Sequence, residues 1–194
     1  MLSIDLRGKI ALVTGATSQL GRTMARTLAQ CGADVAVHFH KNQAMAEALV
    51  AQIRQMGRRA VWVQADVTSL EEVMAMKEVI AIELGHPDII VNNAVLQYHW
   101  TSVLEQPVED YEGQFRSSVL HNVNMAKVFV PAMMEKQYGR VIGINTECSM
   151  QLLPTQSAYV AGKRGMDGVL RVLAKEVGPY QITVNQVAPG WTIS

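Results

Sequence analysis

The chain is poor in several things, and each shortage removes a class of function. Its two cysteines, Cys31 and Cys148, lie far apart with no CxxC or ligand spacing. A disulfide framework is therefore not expected, and two reduced thiols in a cytoplasmic setting are. Aromatic residues make up 6% of the sequence, too few for a base-stacking surface. Seventeen basic residues are balanced by 17 acidic ones, for a net charge of +0. Without a basic excess, no nucleic-acid partner is expected. No run approaches the ~18 consecutive apolar residues of a membrane helix, so no membrane partner is expected either. The opening segment Met1–Lys9 carries Asp5, Arg7 and Lys9 and does not read as a signal peptide. The five histidines (His38, His40, His86, His99, His121) form no HExxH or similar cluster. Each reads as a surface or loop residue, and no metal site is assigned. No linker, repeat or low-complexity tract interrupts the chain.

Hydrophobic residues account for 49% of the 194 positions and charged residues for 18%. That is a globular composition. A chain of this length buries roughly 70% of its unfolded surface and folds without a staple. One domain spanning 1–194 is expected. Short apolar runs at 9–13, 34–38, 60–64, 88–92, 140–144 and 182–187 read as strands. Helical periods fill 19–29, 42–56, 69–84, 107–136 and 156–177. In the second of these, Met45, Leu49, Ile53 and Met56 form one apolar face, with Asn42 as N-cap and Gly57 as stop. Ser69-Leu-Glu-Glu72 has the form of a capping box. Six strands alternating with five helices predict an α/β fold: a doubly wound parallel sheet, Rossmann-like, in three α/β/α layers. The near-continuous apolar character of the first, fourth and fifth strands suits a sheet covered on both faces.

Ligands of such sheets bind beyond the carboxyl ends of the strands, where strand order reverses. The first strand-to-helix turn is Thr14-Gly15-Ala16-Thr17-Ser18-Gln19-Leu20-Gly21. Gly15 suits a tight turn, and Gly21 lets the helix approach the sheet. The helix N-terminus then offers N–H groups to a pyrophosphate. Two glycines six apart are also common in ordinary turns, so the context carries this reading rather than the spacing. The second strand ends in His38-Phe39-His40-Lys41, with no carboxylate for a ribose 2′-hydroxyl. His40 and Lys41 instead suit a 2′-phosphate, which favours NADP(H) over NAD(H).

Taken in order, these segments resemble the short-chain dehydrogenase/reductase family, especially its 3-oxoacyl-(acyl-carrier-protein) reductase-like members. Thr14-Gly15 through Gly21, including Thr17, Ser18, Gln19 and Leu20, matches the cofactor turn. Ala65-Asp66-Val67 matches the adenine-contacting segment, Asn92-Asn93-Ala94 the NNAG motif, and Tyr159-Val-Ala-Gly-Lys163 the YxxxK motif. Val184-Asn185 and Pro189-Gly190 match the segment bordering the nicotinamide. The resemblance covers the whole chain. It implies a hydride-transferring oxidoreductase that interconverts a carbonyl and a secondary alcohol, taking a small-molecule substrate and assembling as a homodimer or homotetramer.

Tyr159 and Lys163, four apart on a helix, share a face. A phenol with pKa near ~10 is a poor acid-base group at neutral pH. A nearby ammonium is expected to lower that pKa, so that Tyr159 exchanges a proton with the substrate oxygen. The resemblance also gives Lys163 the nicotinamide ribose, Thr146 the place of the catalytic serine, and Ser118 that of a helix asparagine. That asparagine supports a water-mediated relay through its backbone, while its side chain steadies a helix kink.

The chain departs from the family pattern at functional positions. Gln19 replaces a glycine and would crowd or hydrogen-bond the pyrophosphate. Val95 replaces the last residue of NNAG, a poor fit if a glycine-only dihedral is needed there. Thr146 and Ser118 replace serine and asparagine, Glu147 and Cys148 give an unusual rim, and Ser149 takes a common glycine position. These departures keep a second expectation open: a catalytically weak or inactive nucleotide-binding or regulatory protein on the same fold. The loop Leu96–Val103, with Tyr98, His99 and Trp100, either lines the pocket or covers the sheet edge. The chain is further expected to lack the family's last strand and most of its substrate segment, with Ser194 falling where a threonine contacts the nicotinamide amide.

Overall fold

A computed structural model describes residues 4–191 of the chain. The expectation placed on Ser194 lies outside these residues. Six parallel strands form one sheet in the order β3-β2-β1-β4-β5-β6. They are β1 (Ile10–Val13), β2 (Asp34–Phe39), β3 (Ala60–Gln64), β4 (Ile89–Asn92), β5 (Gly139–Ile144) and β6 (Ile182–Val187). The helices are α1 (Gln19–Gln30), α2 (Gln43–Gln55), α3 (Leu70–Glu83), α4 (Val108–Gln114), α5 (His121–Lys136), α6 (Cys148–Gln151) and α7 (Ser157–Val177). The order of strands reverses between β1 and β4, so the carboxyl ends of these two strands frame the crevice.

Period-two alternation distributes the apolar residues of each strand to two cores. Ala11, Val13, Val35, Val37 and Phe39 pack under α1 and α2 against Ala25, Ala29, Leu49 and Ile53. Leu12, Ala36, Ile90 and Val141 face the other way, onto Met76 and Ile80 of α3, Met125, Phe129 and Met133 of α5, and Met166 and Leu170 of α7. All six residues of β2 are buried, as a central strand covered on both faces requires.

Side-chain caps start the first three helices. Ser18 Oγ accepts from Gly21 N–H at 3.1 Å, Asn42 Oδ1 from Met45 N–H at 3.1 Å, and Ser69 Oγ from Glu72 N–H at 3.3 Å. The capping box at Ser69 forms only in that direction. Ser69 N–H already donates to the Asp66 carbonyl at 3.0 Å, so the Glu72 carboxylate accepts from Asp66 N–H instead, at 2.7 Å.

The structure refines the sequence reading at three places. The helical region 107–136 is broken by a π turn over Phe115–Leu120, where His121 N–H donates five residues back to the Arg116 carbonyl. The one-turn α6 and the 3-10 turn Gly178–Tyr180 carry no periodic signal and were not anticipated. His38 and His121 are corrections: they are 1% and 0% exposed, not surface residues, because each finds a carbonyl partner inside the core. His40, His86 and His99 are exposed, as expected. No helix among the described residues is long and apolar enough to cross a membrane.

Candidate active site

The β1–α1 turn is built around close backbone approach. Gly15 has φ +60°, a conformation side-chain-bearing residues rarely take. A Cβ on Gly21 would lie 2.2 Å from the Gly15 carbonyl oxygen, so only glycine lets α1 start there. Asn93 locks the turn from β4: its Nδ2 donates to the Thr14 carbonyl at 2.9 Å and to the Gly15 carbonyl at 3.0 Å. Thr14 Oγ1 returns the contact, accepting from Asn93 N–H at 2.9 Å and Ala94 N–H at 3.1 Å. On the other side, Gly15 N–H donates to His38 Nδ1 at 3.0 Å and Ala16 N–H to the His38 carbonyl at 2.9 Å.

What remains open on this turn suits an anion. No described residue accepts from the N–H groups of Thr17, Gln19 or Leu20, and the first turn of α1 holds no acidic side chain. Gln19 leans away along the helix, its Oε1 accepting from Arg22 at 2.9 Å. Val95 is not among the positive-φ residues, so its branched side chain costs no backbone strain. His40 and Lys41 are exposed at the end of β2. Asp66 follows β3, its Oδ1 accepting from Thr68 N–H at 2.8 Å. The Val67 carbonyl accepts from Asn124 Nδ2 at 3.1 Å. These residues fit a dinucleotide lying across the carboxyl ends of the strands.

At the far end of that crevice, α7 brings Tyr159 and Lys163 to one face, with Lys163 Nζ 5.7 Å from the Tyr159 ring centroid. Lys163 is 3% exposed, and its ammonium donates to the Ile144 carbonyl at 2.6 Å. Burial pulls its pKa down to about 8. Thr146 lies close enough to the Tyr159 phenol to favour its ionisation, although the two hydroxyls do not meet hydrogen-bond geometry. Burial outweighs this and raises the phenol above its ordinary value. The expected lowering by Lys163 is therefore corrected: the ammonium is directed at Ile144, and desolvation dominates at the phenol.

The loop after β4 lies against Tyr159. Trp100 stacks on its ring at 6.0 Å between centroids, and the Tyr98 hydroxyl accepts from Tyr159 N–H at 2.7 Å. The N-cap position Gln156 makes no side-chain cap, so Tyr98 satisfies one of the helix's unpaired donors from outside. Beyond β6, the Pro189 carbonyl accepts from Glu147 N–H at 3.0 Å, and Gly190 lies under the Glu147 carboxylate. Cys148 is buried, its N–H donating to Thr146 Oγ1 at 3.2 Å. Ser118 lies in the π turn, its carbonyl accepting from Asn122 Nδ2 at 2.7 Å. Thr14, His38 and Asn122 carry these contacts: the sequence reads Thr14 only as part of the turn and His38 only as a surface or loop residue, and does not single out Asn122. Among the described residues, no His, Cys, Asp and Glu side chains gather as metal ligands.

Residues 9–194 match the family described as short chain dehydrogenase. The chain belongs to that family. A D-beta-hydroxybutyrate dehydrogenase of Cupriavidus necator is 32% identical over 189 residues, which cover 97% of this chain and 72% of that protein. A 3-oxoacyl-[acyl-carrier-protein] reductase of Synechocystis is 32% identical over 96% of this chain and 75% of its own length. The crystal structure of an NAD+-bound xylitol dehydrogenase superposes with a TM-score of 0.92 at 28% identity, over 97% of this chain and 72% of that one. Short-chain dehydrogenases of this kind are pyridine nucleotide-dependent oxidoreductases, and this chain is one of them.

Proposed function

We propose that this protein interconverts a carbonyl and a secondary alcohol, with Tyr159 as acid/base and NADP(H) favoured over NAD(H). The observation that carries the reading is the pair on α7: buried Lys163 one helical turn from half-buried Tyr159, with the Thr146 hydroxyl beside the phenol. When bound, the nicotinamide cofactor supplies or accepts the hydride. Tyr159 gives a proton to the carbonyl oxygen in reduction and removes it in oxidation. Thr146 donates a hydrogen bond that fixes the oxygen, and Lys163, held by the Ile144 carbonyl, anchors the ribose. Ser118 supports proton relay through its backbone. Gly15, Thr17, Ser18, Gln19, Leu20 and Gly21 cradle the pyrophosphate, and His40 and Lys41 meet the 2′-phosphate. Asp66 and Val67 border the adenine, and Asn93, Ala94, Pro189 and Gly190 the nicotinamide half.

The substrate is a small carbonyl or alcohol. No Lys or Arg occurs between 89 and 115 or between 141 and 162, the segments at the pocket mouth. Leu96, Val103, Met150 and Leu152 are exposed there. A neutral, largely apolar substrate is favoured over a carboxylate. A groove of ≈ 470 Å³ between Tyr111, Phe115, Leu120 and Ala161 lies on the outer face of α4 and α7. It supports a homodimer or homotetramer joined through these helices, in a cytoplasmic enzyme.

NADPH oxidation with a panel of β-ketoacyl, quinone and simple ketone substrates tests the reading. Tyr159→Phe should abolish turnover and leave NADPH affinity, read by fluorescence, nearly intact. An unchanged rate sinks the assignment. The raised phenol and the Trp100 ring stacked on it favour a second reading, a nucleotide-binding protein with weak turnover. Tight NADPH binding without turnover by the wild type would select it, and absence of binding would remove both.

A further inference from the structure

Two amides in the core take no part in the chemistry above. Asn92, the last residue of β4, is 2% exposed, and Asn122, at the start of α5, is 1% exposed. Asn92 Nδ2 donates to Asn122 Oδ1 at 2.7 Å. Asn122 Nδ2 in turn donates to the Ser118 carbonyl at 2.7 Å, reaching four residues back into the π turn. A π turn loosens the i→i−4 ladder, so its carbonyls need other donors. Asn122 supplies one from a side chain and is itself held by the strand end.

The π turn, with Gln114 just before it, is also the seat of α7. A Cβ on Gly162 would lie 2.9 Å from the Gln114 carbonyl oxygen, and one on Gly165 would lie 2.9 Å from Val119 Cγ2. These two glycines bracket Lys163. The backbone of α7 therefore rests directly on the segment that Asn122 ties to β4. Ser118 cannot make the tie itself, since its short hydroxyl is buried without a partner.

We propose that Asn122 is a positioning residue: by fixing the π turn to the end of β4, it sets where α7 presents Tyr159 and Lys163. The proposal rests on the catalytic reading above. It is tested with Asn122→Leu, which removes both hydrogen bonds, and Asn122→Thr. The Thr hydroxyl still bonds the carbonyl four residues back but does not span to Asn92.

The leucine variant should lose roughly 10- to 100-fold in kcat, the scale of a small misplacement of reacting groups. Its NADPH dissociation constant should rise by a smaller factor than kcat falls, since the β1–α1 turn is untouched and only the Lys163 contact to the ribose is disturbed. The threonine variant keeps the bond to the Ser118 carbonyl but not the tie to β4, so its kcat should stay closer to that of the leucine variant than to wild type. Hydrogen exchange should quicken over 115–123 and over 159–165 together, and not over 43–55. Wild-type kcat in Asn122→Leu, a threonine variant restored to wild-type kcat, or quickened exchange confined to 115–123 would overturn the proposal. If the wild type turns over no substrate, the catalytic reading fails separately and the exchange pattern alone decides. If the leucine variant does not fold, the threonine variant and its exchange pattern decide. There, a kcat within about twofold of wild type counts against it.

Discussion

His38 holds the cofactor turn with a ring that works only when neutral. Its Nδ1 accepts from Gly15 N–H at 3.0 Å, so the proton sits on Nε2, which donates to the Ala65 carbonyl at 2.9 Å. Burial holds its pKa down to about 4, against 6.5 for an unperturbed histidine; His40 lowers it further, while the Ala65 carbonyl and Asp66 pull it up. That difference corresponds to on the order of 3 kcal/mol at about 1.36 kcal/mol per unit. Between those two values the unfolded chain binds a proton that the folded chain excludes. Stability is therefore complete above 6.5 and is lost as pH falls through 6.5 toward 4.

Replacing His38 with leucine removes the titration and leaves Gly15 N–H and the Ala65 carbonyl unpaired, at about 1–3 kcal/mol each. At about pH 7.5 the variant should be less stable than wild type by about 2–6 kcal/mol. At about pH 4.5 that gap should narrow by on the order of 3 kcal/mol, because only the wild type loses its neutral ring. Urea unfolding followed by tryptophan fluorescence at several pH values measures both. His121, whose pKa is lowered by burial first and by the His38 ring next, titrates in both proteins, so only the part that His38 contributes enters the difference. A gap that stays constant across this range would refute the reasoning. Affinity for NADPH should fall at least about tenfold in the variant, equivalent to about 1.4 kcal/mol of lost anchoring. Unchanged affinity would mean the ring does not hold the turn in its binding form.

Gly21→Ala should abolish NADPH binding, because its Cβ would sit 2.2 Å from the Gly15 carbonyl oxygen and the turn would have to open. Retained binding in a fluorescence titration would contradict that packing. Lys163→Met should remove turnover while changing how stability responds to alkaline pH. With a folded pKa of about 8 against 10.5, the unfolded wild type binds the extra proton in that window. Wild-type stability should rise relative to the variant as pH is raised from 8 toward 10.5, by on the order of 3 kcal/mol. Parallel stability curves would show that Lys163 is not desolvated.

The sheet could be read from the chain because its signals are local. Ala60–Gln64 and Ile182–Val187 appear with the boundaries their apolar runs predict, and Asn42 caps α2 where the spacing places it. What escaped depends on partners distant in sequence. His38 looks like a polar strand end until Gly15 and Ala65, 23 and 27 residues away, surround its ring. The π turn leaves no periodic mark over 115–120. Its surroundings are distant in sequence: Gly165 of α7 meets Val119 within it, and Gly162 meets Gln114 just before it. Residues of the YxxxK motif meet as expected because four positions along a helix fix their direction. The shift at Tyr159 could not be read in the same way, because it depends on how deeply α7 is covered.

The Tyr98 hydroxyl on Tyr159 N–H has a consequence for anyone who re-engineers the protein. A loop at the mouth of a pocket is the usual cassette to exchange when new selectivity is wanted. Here the cassette 96–103 also terminates the helix that carries Tyr159. A graft lacking a hydroxyl at position 98 would change the anchoring of the catalytic helix along with the pocket. Supplying a new cap at position 156, by Gln156→Asp or Gln156→Ser, would uncouple the two and make the loop exchangeable.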